Sequence, residues 1–362
     1  MSGLDIRQVC ADQGIAPGST KGGALHLRGI AAGLTSLGQR VTTYSTRPPE
    51  GTFPTPVRHL ADLTPQSVAT ADVIYERYSL GHRSGLDVAR AAGVPFVLEV
   101  NAPLLDEARA HRPHTVQTDH PRVEADLLRE ADLVITVSDE LKGWVDARRA
   151  GPTVTITNGF EPAWFRPSRR SFAKQTLAFL GHPKPWHGAD RLPRLLADLA
   201  QAGRTPDLLI IGGGEGADRV ITEARRLGVA QQITVTGTLS PQDASARLAD
   251  ASIGLAPYPR LDPFYFCPLK VIDYLAAGIP VVSTRQGEIP GLVGNAGIVV
   301  EPEDDHSLTR AVLALLDDPS WRHRLGETGR RRALDTMTWR HAAATTVAAV
   351  RRLDNSPMMV AI

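Results

Sequence analysis

Asp262-Pro-Phe-Tyr-Phe-Cys-Pro-Leu-Lys-Val-Ile-Asp-Tyr-Leu-Ala-Ala-Gly-Ile-Pro-Val-Val-Ser283 reads as a loop, a helix and a buried strand in succession. The Asp262-Pro263 and Cys267-Pro268 pairs mark turns, and Pro268, with its fixed φ and no N–H to donate, suits the first turn of a helix. Leu269, Ile272, Leu275 and Ala276 recur at helical spacing. Gly278 ends the helix, and Ile279-Pro-Val-Val282 is a short apolar run of the kind that fills a parallel sheet. A helix that begins in such a turn presents unpaired N–H groups and a partial positive charge, a seat for phosphate. Asp273 stands one turn further in on an otherwise apolar helix, where a carboxylate suits a ribose diol beside the phosphates.

Outward from this unit the chain alternates strands and helices. Ile6–Cys10, Arg40–Ser45, Ala71–Tyr75, Pro95–Val100, Leu133–Val137 and Thr153–Thr157 form one series of predicted strands. Thr176–Leu180, Asp207–Ile211, Ile233–Thr236, Ser252–Ala256, Ile279–Ser283 and Gly297–Val300 form a second. Regular alternation predicts parallel sheets with helices on both faces. The pattern breaks after the Asn158-Gly159 turn signal, where Pro162, Pro167 and a Ser/Arg cluster follow. The expected division is a domain over 1–160, a linker over 161–174, a second domain over 175–337, and a last helix with a frayed tail over 338–362, the helix crossing back to the first domain.

The 362 residues suffice for two cores. Apolar content of 42% and charged content of 22% are those of a soluble globular protein, and a net charge of +1 gives no reason to expect nucleic acid as a partner. Cys10 and Cys267 lie far apart without metal-ligand spacing, which fits a reducing cytoplasm. No apolar run approaches the ~20 residues of a membrane span, so no stable membrane insertion is expected. His-Glu-x-x-His, paired Cys-x-x-Cys, Gly-x-Ser-x-Gly and Walker-type patterns are all missing, which removes support for metalloprotease, zinc, serine-hydrolase and P-loop readings.

The helix with its acid and its Ala-Gly-x-Pro-Val-Val tail resembles the signature of the retaining glycosyltransferases of family 4 (glycosyl transferases group 1), written acid-x7-acid. Asp273 falls at the second acid, where the family usually has Glu, and Tyr265 stands where it usually has the first. The sequence is closer to a Phe-Tyr-Phe-x-Pro-Leu-Lys-x-x-acid version of the pattern. The resemblance covers about residues 5–350 and implies the GT-B fold: two doubly wound Rossmann-like α/β domains facing one another across a cleft. It also implies that Asp262, or backbone N–H groups of Phe266, Cys267 and Leu269, meet the donor in place of the first acid. Lys270 is either a second cation for the donor phosphates or a solvated helix-surface lysine.

In Gly181-His-Pro-Lys-Pro-Trp-His-Gly188 the family places an Arg and a Lys, and here His182 and His187 occupy those positions with Lys184 between them. Lys184 and His187 are the expected phosphate clamp, stabilising the negative charge that grows on a departing nucleoside diphosphate. The Gly-rich turn holding Gly213, and Thr238 and Leu239 after the next strand, would lie near the nucleotide. By themselves these are ordinary strand-to-helix connections. Gly22 and Gly23 resemble the family's Gly-rich loop near the donor phosphate and the acceptor, with Lys21 beside them; His26, one turn inside the helix, reads as a packed residue rather than a catalyst. Asn101 stands where many relatives have His near the reaction centre. Glu99, two residues earlier on the same strand face, is either an acid or base for the acceptor hydroxyl or a structural carboxylate paired with Arg77.

The function this implies is a cytoplasmic, retaining, metal-independent transfer of a hexose from a UDP- or GDP-sugar to a hydroxyl of a small molecule or glycan. No cofactor is called for beyond the nucleotide-sugar co-substrate, and no residue is assigned to a metal. Asp106, Glu107, Asp119, Glu124 and Asp126, interleaved with Arg109, Arg112 and Arg122, raise the idea of a cationic acceptor such as an amino-sugar or aminocyclitol. A nucleotide-sugar epimerase of the same build, using Glu99 with His26 or His187, and a non-catalytic partner protein are the alternatives. Oligomeric state is not legible.

Overall fold

The computed structural model describes residues 3–166 and 175–354. The part of the expected linker from 167 to 174 and the tail from 355 onward lie outside these. The chain divides into two compact units. The first comprises the chain up to Gly159, the short segment Tyr265–Cys267, and the chain from Trp339; the second comprises Phe160–Phe264 and Pro268–Thr338.

In the first unit the elements run β1 (Asp5–Cys10), α1 (Gly22–Ser36), β2 (Arg40–Ser45), β3 (Val57–His59), β4 (Val73–Arg77), α2 (Ser84–Ala92), β5 (Phe96–Val100), α3 (Leu104–His111), α4 (His120–Glu130), β6 (Leu133–Thr136), α5 (Asp139–Asp146) and β7 (Thr153–Thr155). The strands pair in parallel in the order β3-β2-β1-β4-β5-β6-β7. β1 and β5 are buried along their whole length, as strands of a parallel sheet covered on both faces are. β3 is the strand that sequence patterning does not announce. It is three residues long, mostly exposed, and lies at the sheet edge, so no apolar run marks it.

The second unit runs β8 (Thr176–Leu180), α6 (Leu192–Gln201), β9 (Asp207–Ile211), α7 (Glu215–Arg226), β10 (Ile233–Val235), α8 (Pro241–Leu248), β11 (Ile253–Ala256), α9 (Leu269–Ala277), β12 (Val281–Thr284), α10 (Ile289–Val293), β13 (Gly297–Val300), α11 (Asp305–Asp317) and α12 (Pro319–Thr336). Its parallel order is β10-β9-β8-β11-β12-β13, the doubly wound order in which the chain reverses its direction of growth between the first and fourth strands. Leu177, Phe179, Leu208, Ile210, Ile253 and Leu255 form its sheet core, with Leu195, Leu196, Leu199, Leu308, Val312 and Leu315 packed in from helices α6 and α11.

The last helix, α13 (Trp339–Asp354), belongs to the first unit. It packs on α1 at two glycines. A Cβ on Gly29 would fall 2.1 Å from the Trp339 indole, and one on Gly33 would fall 2.2 Å from the Trp339 carbonyl oxygen. The helices approach this closely because those side chains are missing.

Candidate functional site

In open parallel sheets ligands collect beyond the carboxyl ends of the strands, where the strand order reverses. In the second unit that place lies between β8 and β11. The loop after β8 carries Lys184 and His187, and the chain after β11 leads toward α9. Tyr274 fixes α9 there. Its hydroxyl accepts the Leu180 N–H at 2.8 Å and donates to the Leu255 carbonyl at 3.0 Å. Gly254 makes room for its ring, since a Cβ there would lie 2.4 Å from it. Gln286 holds the loop after β11 from the other side, accepting the Leu261 N–H at 2.8 Å and donating to the Pro259 carbonyl at 2.7 Å.

Pro268 takes the N-cap position, so α9 starts one residue later than a proline in its first turn would place it, at Leu269; Gly278 closes it in the left-handed conformation. Asp273 is half-buried on α9. Burial raises its carboxyl to about 7. Among the described residues no charged group contributes to that shift. Lys270, one turn earlier, is not a solvated surface lysine. It is 7% exposed, its Nζ has no hydrogen-bond partner, and burial lowers its amine to about 7. Its neighbours are ring faces, Phe179 at 4.1 Å and Tyr258 at 5.3 Å.

His187 faces the same two rings, at 6.4 Å from Phe179 and 6.0 Å from Tyr258. Burial first, then the charges of Lys270 and Lys184, lower its imidazole to about 3. As half of a phosphate clamp it is therefore a neutral hydrogen-bonding group and not a cation. Its Nδ1 is occupied within the loop, 3.1 Å from the His182 carbonyl and 3.3 Å from the Lys184 N–H. Lys184 itself is exposed. His182 bridges three loops: its Nδ1 lies 2.9 Å from the Gly213 carbonyl and its Nε2 3.4 Å from the Thr238 hydroxyl. Gly213 packs against Gly237, with 3.2 Å from a built Cβ to the Gly237 Cα. The structure thus brings Lys184, His187, Gly213 and Thr238 together around the β8 loop, and half-buried Leu239 follows Thr238.

Phe266 and Cys267 group instead with the first unit, alongside Tyr265. The Tyr265 carbonyl accepts from the Ser138 hydroxyl at 2.8 Å, and its hydroxyl donates to Glu107. The Asn158 side-chain amide donates to the Cys267 carbonyl at 2.7 Å, and the Asn158 N–H to the Cys267 Sγ at 3.3 Å. Asn158 Oδ1 is then the acceptor for His26 Nδ1 at 2.6 Å, which obliges that nitrogen to carry a hydrogen. His26 Nε2 meets Glu99 Oε1 at 2.5 Å, and the Tyr75 hydroxyl donates to the same oxygen at 2.7 Å. Burial works to raise the Glu99 carboxyl, but His26, Arg77 and the Tyr75 hydrogen bond outweigh it and hold it below the usual carboxylate range.

Glu99 is 2% exposed, with His26, Tyr75 and Arg77 around it. The parallel register sets Arg77 beside Glu99 and Tyr75 two residues before it on the same face. Asn101 presents a buried Oδ1 without a hydrogen-bond partner among the described residues. Gly22 and Gly23 form the first turn of α1, and the Lys21 amine is turned back to the Gly14 carbonyl at 3.2 Å. Asp106, Glu107, Glu124 and Asp126 all have protein partners: Trp144 and Arg148, Tyr265, Tyr78, and Arg83 and Arg129 respectively. Among the described residues no group of three or more His, Cys, Asp or Glu is placed to hold a metal ion. No described helix is long and apolar enough to cross a membrane.

Sequence reasoning did not single out Tyr274, Phe179 or Tyr258. The signal for Tyr274 was its place beside Asp273. For the other two it was an aromatic residue at or just past the end of a strand that borders the reversal in strand order.

Two doubly wound units, each with its own parallel sheet, are the architecture of the GT-B glycosyltransferases. Residues 174–318 match the model of the family described as glycosyl transferases group 1. The chain is 27% identical over 297 residues to MMP alpha-(1->4)-mannosyltransferase of Mycolicibacterium hassiacum, covering 76% of this chain and 69% of that one. It is 35% identical over 167 residues to GDP-mannose-dependent alpha-(1-6)-phosphatidylinositol monomannoside mannosyltransferase of Mycolicibacterium smegmatis, covering 44% of this chain and only 43% of that protein. The fold is shared with HepE of Anabaena in complex with UDP, at a TM-score of 0.73 and 17% identity over 96% of this chain and all of that one (100%).

Proposed function

We propose that the protein transfers a sugar from a UDP- or GDP-sugar to a hydroxyl of a small-molecule or glycan acceptor, with retention at the anomeric carbon and without a metal. The observation that carries this reading is the pair of groups at the start of α9. Asp273 is a half-buried carboxylate without a balancing charge, and Lys270 is a buried amine without an acceptor. Both lie within the first five residues of a helix whose N-terminus favours phosphate. In this reading Asp273 accepts the ribose hydroxyls. Lys270, the exposed Lys184 and the backbone at Leu269 take the pyrophosphate, with the neutral His187 beside them. Gly213, Thr238 and Leu239 border the nucleotide.

Cations and helix N–H groups are enough to stabilise a departing diphosphate, so the scheme needs positioning and electrostatics rather than a pair of catalytic carboxylates. Retention then follows from attack on the same face that the diphosphate leaves, with a phosphate oxygen receiving the acceptor's proton. Glu99 holds His26 and Tyr75 in place in this scheme.

The test is binding and turnover of radiolabelled UDP- and GDP-sugars by the full chain with EDTA present. Release of the nucleoside diphosphate with an α-linked product from an α-linked donor supports the reading. A folded protein that binds none of these donors overturns it.

A further inference from the structure

Nothing polar in the described structure satisfies the Lys270 amine. Nζ is buried, and its near neighbours are the faces of Phe179 and Tyr258. An ammonium in that position gives up its hydration and regains only the weak attraction of the two ring faces. A neutral amine gives up much less.

We propose that Lys270 rests as a neutral amine in this aromatic box and becomes an ammonium when the pyrophosphate of a nucleoside diphosphate seats at the start of α9, taking its proton from solvent as the ligand binds. The inference rests on the nucleotide-sugar reading of the same helix. It adds which cation meets the pyrophosphate in the interior and in what charge state it waits.

The groups around the amine agree. On α9 itself Asp273 follows one turn later, and no ion pair joins it to Lys270, whose Nζ is without a partner. On the loop after β8, His187 is held neutral, its imidazole lowered to about 3, so it competes for no anion. On the loop after β11, Tyr258 offers a ring face. From α12, Arg330 donates to the Ala276 carbonyl near the far end of α9 and leaves the N-terminal end to Lys270. The amine, lowered to about 7 by burial alone, is mostly uncharged a unit above that pH. Two negative phosphates at hydrogen-bonding distance reverse the balance by favouring the charged form.

The experiment is calorimetric titration of the full chain with UDP and with GDP at pH 8, in two buffers of different ionisation enthalpy. At that pH Asp273, raised to about 7, is already mostly ionised and exchanges little. The wild type is expected to take up close to a full proton per nucleotide bound. Lys270→Met is expected to take up none and to bind about tenfold or more weakly, the loss typical of a charge-assisted contact. Without nucleotide the same variant is expected to melt higher than the wild type at pH 6, where the buried amine must be charged, which also shows that it folds. Nucleotide binding without proton uptake in the wild type, or undiminished affinity in Lys270→Met, overturns the inference and leaves the donor reading standing. A folded wild type that binds neither nucleotide overturns both.

Discussion

Tyr274 Oη accepts the Leu180 N–H at 2.8 Å, joining α9 to the end of β8 at the point where the strand order reverses. The same hydroxyl donates to Leu255 on β11, so one buried group sets the helix against both strands. Tyr274→Phe keeps the ring in the space above Gly254 but removes the partner of a part-buried N–H and of a buried carbonyl. A loss of about 1–3 kcal/mol in unfolding free energy follows, measured by urea denaturation. Nucleotide affinity is expected to fall as well, because Asp273 and Lys270 are carried on the helix that Tyr274 fixes. Unchanged affinity in the variant would show that the placement of α9 does not depend on this bond.

Asp273→Asn separates a site's function from its stability. Burial raises the Asp273 carboxyl to about 7, above the ~3.9 of an unfolded aspartate. A group raised in this way contributes stability that is full below the unfolded value and is lost as pH climbs through the folded one. The wild type therefore weakens between about pH 4 and pH 7 on account of this residue, and the asparagine variant does not. At pH 8 the variant is expected to be more stable by about 1–3 kcal/mol, a shift discounted for the half-exposed position, with the gain vanishing near pH 4. It is also expected to lose nucleotide affinity, in titrations that leave the fold intact. A variant less stable than the wild type at pH 8 would contradict the buried, unbalanced carboxylate.

The strands were legible because buried parallel strands are written as unbroken apolar runs, such as Leu177–Phe179 and Leu208–Ile211. The exposed edge strand at Val57–His59 has no such run. The helix from Leu269 to Ala277 could be read from its spacing and from Gly278. The state of its lysine could not, because Lys270 lies against Phe179, far off in sequence, and Tyr258, across the loop that precedes the helix. The neutrality of His187 is not legible either, since it follows first from burial, which no local pattern records. The surroundings of Glu99 depend on the register of β4 against β5, which sets Arg77 beside it, and on a histidine from α1. The grouping of Tyr265–Cys267 with the first unit is a long-range matter with no local signature.

His26 and Glu99 form a buried pair at 2.5 Å, with side chains 8% and 3% exposed. Removing one partner strands the other, so His26→Ala is expected to cost about 3–5 kcal/mol in stability. Glu99→Gln on top of it should recover part of the loss, since the unpaired charge is then gone. The pH dependence has a definite sign. Glu99 is held below its usual range, so its contribution is present above the unfolded glutamate value and lost as pH falls through the folded one. Denaturation of the wild type, both single variants and the double variant, repeated at pH 7 and pH 4, measures the coupling. Additive losses, with no recovery in the double variant, would mean that the two side chains act independently.

Gly33→Ala sets helix propensity against packing. In the middle of α1 an alanine is worth about 1 kcal/mol over glycine, and on that ground alone the variant should be more stable. The added Cβ, however, would lie 2.2 Å from the Trp339 carbonyl oxygen and 2.9 Å from the Ala343 Cβ. A backbone carbonyl within α13 cannot swing aside as a side chain can, so the two helices must separate. Overpacking of this kind typically costs about 1–3 kcal/mol, which exceeds the propensity gain, and a net destabilisation is expected in thermal melts. The contrast is Gly143→Ala in α5, where a built Cβ meets nothing within 4 Å. There the propensity term stands alone and the variant is expected to melt slightly higher than the wild type. A Gly33→Ala protein that also gained stability would show that α1 and α13 do not pack at this distance.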